Sequence, residues 1–281
     1  MSIDSAPDEL RAAAAEPRVE PLTRRRWFKM TVAYDGTSYC GWQVQPNGVT
    51  IQAMLERAIA QVCQERTRVT GSGRTDSGVH AIGQVASFSL ATWRASAAAL
   101  CRALNSKLPV DIAISGIVDA PEDFHAIRDA KGKRYRYQLQ VGGVRDPFEY
   151  RFRWHVQGPV DWQAVHEAAK RLIGRHDFAS FQAAGADRKS TVREVRDLVI
   201  VDQQGRAGGP TCHYAAIEIE ADGFLYNMVR NIVGSLLEVG RGKRAPSWVT
   251  TVLEAVDRTQ AGPTAPPHGL FLVRVDYDRF R

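Results

Sequence analysis

The chain has 281 residues, enough for one large domain or two smaller ones with their own cores, and its 44% hydrophobic and 24% charged content is ordinary for a soluble globular protein. Lys and Arg outnumber Asp and Glu by 37 to 31, a formal charge of +6 that fits a slightly basic enzyme and a nucleic-acid binder equally well. Four scattered cysteines without a C-x-x-C pair exclude a zinc ribbon and a disulfide scaffold, and no apolar run approaches the roughly 18 residues of a membrane span.

Residues 1–25 read as a flexible, polar amino-terminal tail, with a fragile helix at 9–16 and no signal-peptide segment. Regular structure is predicted from Arg26. Residues 27–34 form a strand that breaks at the turn dipeptide Asp35-Gly36. Thr50 caps a helix whose apolar positions Ile51, Met54, Leu55, Ala58, Ile59 and Val62 follow the 3.6-residue period. A strand at 84–90, a helix at 95–107 closed by Pro109, and a strand at 111–118 follow. Residues 131–140 alternate as a strand, with Lys133, Tyr135, Tyr137 and Leu139 on one face and Arg134, Arg136, Gln138 and Gln140 on the other. Gly142-Gly143 and Asp146-Pro147 mark a boundary, which divides the chain into domains at 26–145 and 146–281.

The second half repeats the rhythm. A strand is expected at 150–156, a helix at 161–173, a strand at 193–202, a Gly-rich loop at 203–210 and a strand at 214–220. The clearest helix spans 224–239, with Asp222 as its cap and Leu225, Met228, Val229, Ile232, Val233, Leu236 and Leu237 on one stripe. A short helix at 247–256 and a strand at 270–277 complete an α+β pattern with a mainly antiparallel sheet.

Three segments carry chemistry. Gly71-Ser72-Gly73-Arg74-Thr75-Asp76-Ser77-Gly78-Val79-His80 has the glycines for a tight backbone path. It lacks the lysine of a phosphate-cradling nucleotide loop, and a Ser72–Asp76–His80 triad on one short loop has no scaffold to orient it. Arg74 stands close enough in sequence to pair with Asp76, and an ionised carboxylate serves as nucleophile or general base. Lys131-Gly132-Lys133-Arg134-Tyr135-Arg136-Tyr137 interleaves cations with aromatics, which fits phosphate neutralisation with base stacking as well as a solvated sheet face. Arg230, one turn after Tyr226, sits at the edge of the helix stripe, where it can reach into a cleft.

Together these segments resemble the bacterial tRNA pseudouridine synthase A family. The likeness starts at Tyr34-Asp35-Gly36-Thr37 and Gly41-Trp42-Gln43 and runs through Gly73-Arg74-Thr75-Asp76 with Gly78-Val79-His80-Ala81. It continues in Phe124-His125-Ala126, Arg134-Tyr135-Arg136-Tyr137, His176-Asp177-Phe178, Lys189-Ser190-Thr191-Val192-Arg193, Met228-Val229-Arg230-Asn231-Ile232-Val233-Gly234 and Ala261-Gly262-Pro263-Thr264-Ala265-Pro266. The resemblance implies two RNA-recognition-like halves whose sheets join, helices packed on them, and a basic active-site cleft between. It implies a homodimer without cofactor that isomerises uridines at positions 38, 39 and 40 of the tRNA anticodon arm, while the scattered cysteines and histidines point to reduced thiols in a cytoplasmic protein without a metal site. Asp76 takes the part of the nucleophile, Tyr135 that of the stacking tyrosine, and Arg230 that of the arginine holding Asp76. Arg74, Thr75 and His80, with Tyr135, are the expected substrate contacts. Ser77 replaces the usual alanine, and Ala179 a frequent hydroxyl residue. A non-catalytic tRNA-binding protein or RNA chaperone of the same fold is the competing reading.

Overall fold

The computed structural model describes residues 25–185, 190–203 and 212–278. The expected tail helix and most of the Gly-rich loop lie outside them. The chain enters through strand β1 (Arg26–Tyr34), helix α1 (Ile51–Cys63), β2 (Thr70–Gly71), β3 (His80–Leu90), α2 (Ala97–Asn105) and β4 (Ile112–Ala120). It continues through β5 (Gly132–Val141), β6 (Trp154–Val156), α3 (Trp162–Lys170), β7 (Gly174–Asp177), β8 (Val192–Gln203) and β9 (His213–Ala221). Helices α4 (Met228–Gly240) and α5 (Trp248–Ala255) and strand β10 (Leu270–Asp276) complete an α+β arrangement with five α-helices among the described residues.

One mixed sheet of ten strands runs through the described residues in the order β4-β1-β3-β10-β5-β9-β8-β7, with β2 on β3 and β6 on β5. Its pairings are antiparallel except β10 with β3 and β5 with β6. Strand β10 lies between β3 and β5, so a segment late in the sequence joins strands made from the first 141 residues.

Period-two burial sets this geometry. Phe28, Met30, Val32 and Tyr34 of β1 face the core in alternation, as do Tyr135, Tyr137 and Leu139 of β5. Against them pack Ile51, Leu55, Ala58 and Ile59 of α1, whose first turn Thr50 caps by accepting from the Ala53 amide at 3.4 Å. Helix α4 is buried on nearly every side, Asn231 and Ser235 included.

Several expected boundaries move. Helix α4 starts at Met228, not Phe224, because Asn227 sits at φ 58°, which the helical path cannot accommodate. Asp222 does not cap it; its carboxylate instead accepts from the Glu194 amide at 3.1 Å, tying β9 to β8. The expected strand at 150–156 shrinks to β6 because the Phe152 amide turns back to the Glu149 carbonyl at 2.8 Å. The two-residue β2 and four-residue β7 are too short for alternation to reveal. Strand β3 begins at His80, four residues earlier than expected, inside the Gly-rich motif itself. Among the described residues no helix is long and apolar enough to cross a membrane.

Candidate active site

Asp76 projects from the connection between β2 and β3, and the sequence around it makes that connection stiff. The Ser72 amide donates to the Val85 carbonyl at 2.7 Å, and the Ser72 hydroxyl donates to Gln84 Oε1 at 2.7 Å. Gln84, wholly buried on β3, returns its Nε2 to the Gly73 carbonyl at 2.9 Å. Lys133 of β5 donates to the Ser72 carbonyl at 2.8 Å. On the other side of Asp76, the Trp42 amide donates to the Thr75 carbonyl at 3.0 Å, and the Thr75 hydroxyl meets Tyr34 Oη at 2.8 Å. Gly41 is required here: its φ is +83°, and a Cβ would stand 2.6 Å from the Thr75 carbonyl oxygen. The Val79 amide closes a turn onto the Asp76 carbonyl at 3.1 Å. A carboxylate carried on such a loop is aimed before any ligand arrives.

Arg230 on the first turn of α4 supplies the facing charge, with Nη1 3.5 Å from Asp76 Oδ2. Its tighter contacts hold the guanidinium itself: Nη1 donates to Asn227 Oδ1 and Nε to the Ala265 carbonyl, both at 2.7 Å. The Ala265 amide returns to the Arg230 carbonyl at 3.1 Å, so residues 261–266 and α4 clasp each other. Gly234 makes that approach possible, since a Cβ there would lie 1.7 Å from the Pro263 carbonyl oxygen. Tyr137 of β5 fixes the same segment by donating to the Pro266 carbonyl at 2.7 Å.

Tyr135, also on β5, completes the group. Its ring stands edge-on to Phe224 at 5.0 Å, and only 8% of the residue is exposed. Its hydroxyl makes no hydrogen bond among the described residues. Burial pushes the Tyr135 phenol up, and the neighbouring Tyr34 and Asp76 add to the rise. Burial also raises the Asp76 carboxyl above its ordinary range, and Arg230 pulls it back only in part. The site therefore combines a desolvated carboxylate, a protonated phenol and a braced guanidinium.

The structure thus brings together Asp76, Tyr135 and Arg230 from a loop, a strand and a helix. The local pairing of Arg74 with Asp76 is not found. Arg74 is exposed and joins no carboxylate among the described residues, and Arg230 takes the position facing Asp76. Thr75 is buried with its hydroxyl on Tyr34. His80 is wholly buried and closed off from any ligand in this conformation. The Gly36 amide donates to its Nδ1 at 3.0 Å, its Nε2 faces the Arg151 carbonyl at 3.1 Å, and Phe271 stacks on the ring at 4.7 Å. Asp35 Oδ1, 3.1 Å from Nδ1, favours a proton there, but burial outweighs it and lowers the imidazole's pKa. A neutral ring protonated at Nε2 satisfies both hydrogen bonds.

The basic strand also differs from its phosphate-binding reading. Arg134 is paired with Asp197 at 2.6 Å and with Glu218 and Glu220 at 2.9 Å each, and Arg136 with Glu218 at 2.7 Å. These charges are neutralised within the sheet. Sequence reasoning passed over Asn227, Gln84 and the Ala265 carbonyl as supports of the site; the signal for the last was a glycine in the middle of a buried helix.

The family model described as tRNA pseudouridine synthase matches residues 30–127 and 168–278. The chain is 44% identical over 250 residues to the tRNA pseudouridine synthase A of Myxococcus xanthus, covering 89% of this chain and 91% of that protein. Against the proteins of that name from Syntrophotalea carbinolica and Pelobacter propionicus, identity is 44% over 249 residues and 43% over 252. The matches cover 89% and 90% of this chain and 95% and 100% of those proteins. With the matched regions spanning Asp76, Tyr34 and Arg230, the chain belongs to the tRNA pseudouridine synthase family.

Proposed function

We propose that the chain isomerises uridine to pseudouridine at positions 38, 39 and 40 of the tRNA anticodon stem-loop, with Asp76 as the reacting carboxylate. The observation that carries this reading is the Asp76–Arg230 contact at 3.5 Å beside the unengaged hydroxyl of Tyr135. The reaction breaks the N1–C1′ bond, turns the detached uracil, joins C5 to C1′, and moves the C5 proton off while N1 gains one. Pairing and stacking would block the turn, so the uridine must leave its helix first. Attack of Asp76 on C1′, attack on C6, and abstraction of the C2′ proton through a glycal all use the same carboxylate.

Arg230 holds Asp76 ionised and aimed, and its loose contact lets the carboxylate move onto the sugar or base without breaking a bidentate clamp. Tyr135 stacks on the flipped uracil and takes part in removing the C5 proton. Because its phenol stays protonated near neutral pH, that part is a relay and not that of a phenolate base. Exposed Arg74 meets phosphate or keeps the base flipped, while Thr75 and His80 act by shaping the loop. The same reading takes residues 26–145 and 146–281 as two RNA-recognition-like halves flanking a basic cleft, in a cytoplasmic homodimer.

The experiment is tritium release from tRNA carrying 5-tritiated uridine. Asp76→Asn should abolish release and keep most tRNA affinity, and wild-type turnover in that variant sinks the assignment. A non-catalytic RNA chaperone would bind and remodel tRNA equally well with or without the carboxylate.

A further inference from the structure

A cavity of about 530 Å³ opens beside the Asp76 loop at Gly78. Gly78 and His268 form one wall, and Arg145, Tyr150, Arg151 and Arg153 from the connection between β5 and β6 form the other. Among the described residues no acidic side chain lines it, although Asp35 and Glu149 pair from behind with Arg151 and Arg153. Its size is that of a site for a single small ligand.

Three observations say what chemistry it suits. Arg145 is exposed and pairs with no carboxylate among the described residues; its guanidinium lies 6.0 Å from the Tyr150 ring centroid. Arg151 holds Asp35 at 2.5 Å through one terminal nitrogen, while its Nε is buried with no hydrogen-bond partner. Tyr150 is 53% exposed, and Phe148 on the same connection is 76% exposed, so aromatic faces stand beside the unpaired Arg145. Anion plus flat ring is the chemistry of an unpaired nucleotide.

Position narrows it further. Gly78 is two residues from Asp76, a span of at most about 7 Å along the chain, so the cavity adjoins the reacting carboxylate. The wall is also tied to the catalytic loop, because the Arg151 carbonyl receives His80 and the Arg151 guanidinium holds Asp35. Resting on the tRNA-modifying reading above, we infer that this cavity takes the nucleotide next to the flipped uridine, with its phosphate on Arg145 and its base against Tyr150.

The test uses the full chain in the Asp76→Asn background, with the Kd for an isolated anticodon stem-loop RNA measured across a salt series. Arg145→Gln should weaken binding about tenfold and reduce the slope of log affinity against log salt by about 0.7. Tyr150→Ala should weaken binding by a similar factor and leave the slope unchanged, since stacking releases no counterion. With Asp76 restored, both losses should appear in KM and not in kcat. Arg171→Gln, which removes an exposed cation paired with Glu167 on α3, is the charge-matched control and should keep the parent Kd. Parent-like Kd values for both pocket variants, or an equal loss in the control, overturn the inference. So does a fall in sedimentation mass in the pocket variants, which would assign the surface to a second copy of the chain. Loss of tritium release in Asp76→Asn alone, with inert pocket variants, would leave the reaction standing and remove only the pocket.

Discussion

Arg230 reaches Asp76 across 154 positions of sequence, yet its shortest hydrogen bonds go to Asn227 and Ala265 and not to the carboxylate. Neutral oxygens at 2.7 Å fix the guanidinium, and the 3.5 Å gap to Asp76 leaves the acid accessible. Such an arrangement supplies a fixed positive field where negative charge must persist or develop. Replacing Arg230 with Gln should therefore lower kcat about 100-fold with a smaller effect on tRNA affinity, as single-turnover and binding measurements would report.

Burial raises the Asp76 carboxyl, so the acid limb of the rate profile should lie above the ordinary carboxylate range. Arg230→Gln should move that limb higher still, since the guanidinium is what draws it down. A kcat profile between about pH 4 and pH 8 checks both, and identical limbs in the two proteins would count against Asp76 as the titrating group.

The same shift makes a stability statement. A folded-state pKa above the unfolded value means the native protein binds this proton more tightly, so stability is lost as pH rises from the unfolded value through the folded one. Asp76→Asn removes that loss. Its midpoint of thermal unfolding should exceed the parent's at neutral pH, with the difference closing below the unfolded carboxylate value, while its isomerisation rate falls at least about 1,000-fold.

For Tyr135→Phe, the ring and its edge contact with Phe224 persist while the unengaged hydroxyl is lost. The expected product is a slow enzyme, reduced about 100-fold in kcat with near-parent tRNA affinity. Full rate in this variant would leave stacking as the tyrosine's role and remove the proton relay.

Gly234→Ala tests the clasp from a distance. The added carbon meets the Pro263 carbonyl, so residues 261–266 must shift and carry the Ala265 acceptor away from Arg230. We expect a loss of about 1–3 kcal/mol in chemical denaturation together with lower kcat.

Much of this frame was legible in local pattern. Helix α1 announced itself by Thr50 and its apolar spacing, and β5 by strict alternation, because both signals are short-range. The meaning of β5's charges was not local. In the antiparallel register Arg134 faces Glu220 and Arg136 faces Glu218, and only a knowledge of which strand neighbours β5 turns a basic stripe into a row of ion pairs. The start of α4 depended likewise on the left-handed backbone of Asn227, which periodicity cannot report. The Asp76–Tyr135–Arg230 grouping was reached by likeness to a family, since no spacing rule relates a loop, a strand and a helix so far apart.

Strand β10 bears on how the molecule is made. Asp76 leaves the ribosome early, Arg230 much later, and β10, which lies between β3 and β5, later again. A nascent chain that has not yet extruded Leu270–Asp276 lacks the strand that bridges β3 and β5, so the loop bearing Asp76 and the strand bearing Tyr135 are not yet joined through the sheet. Alignment of the Asp76 loop with Tyr135 across the sheet is thereby deferred until residues 270–276 have been made.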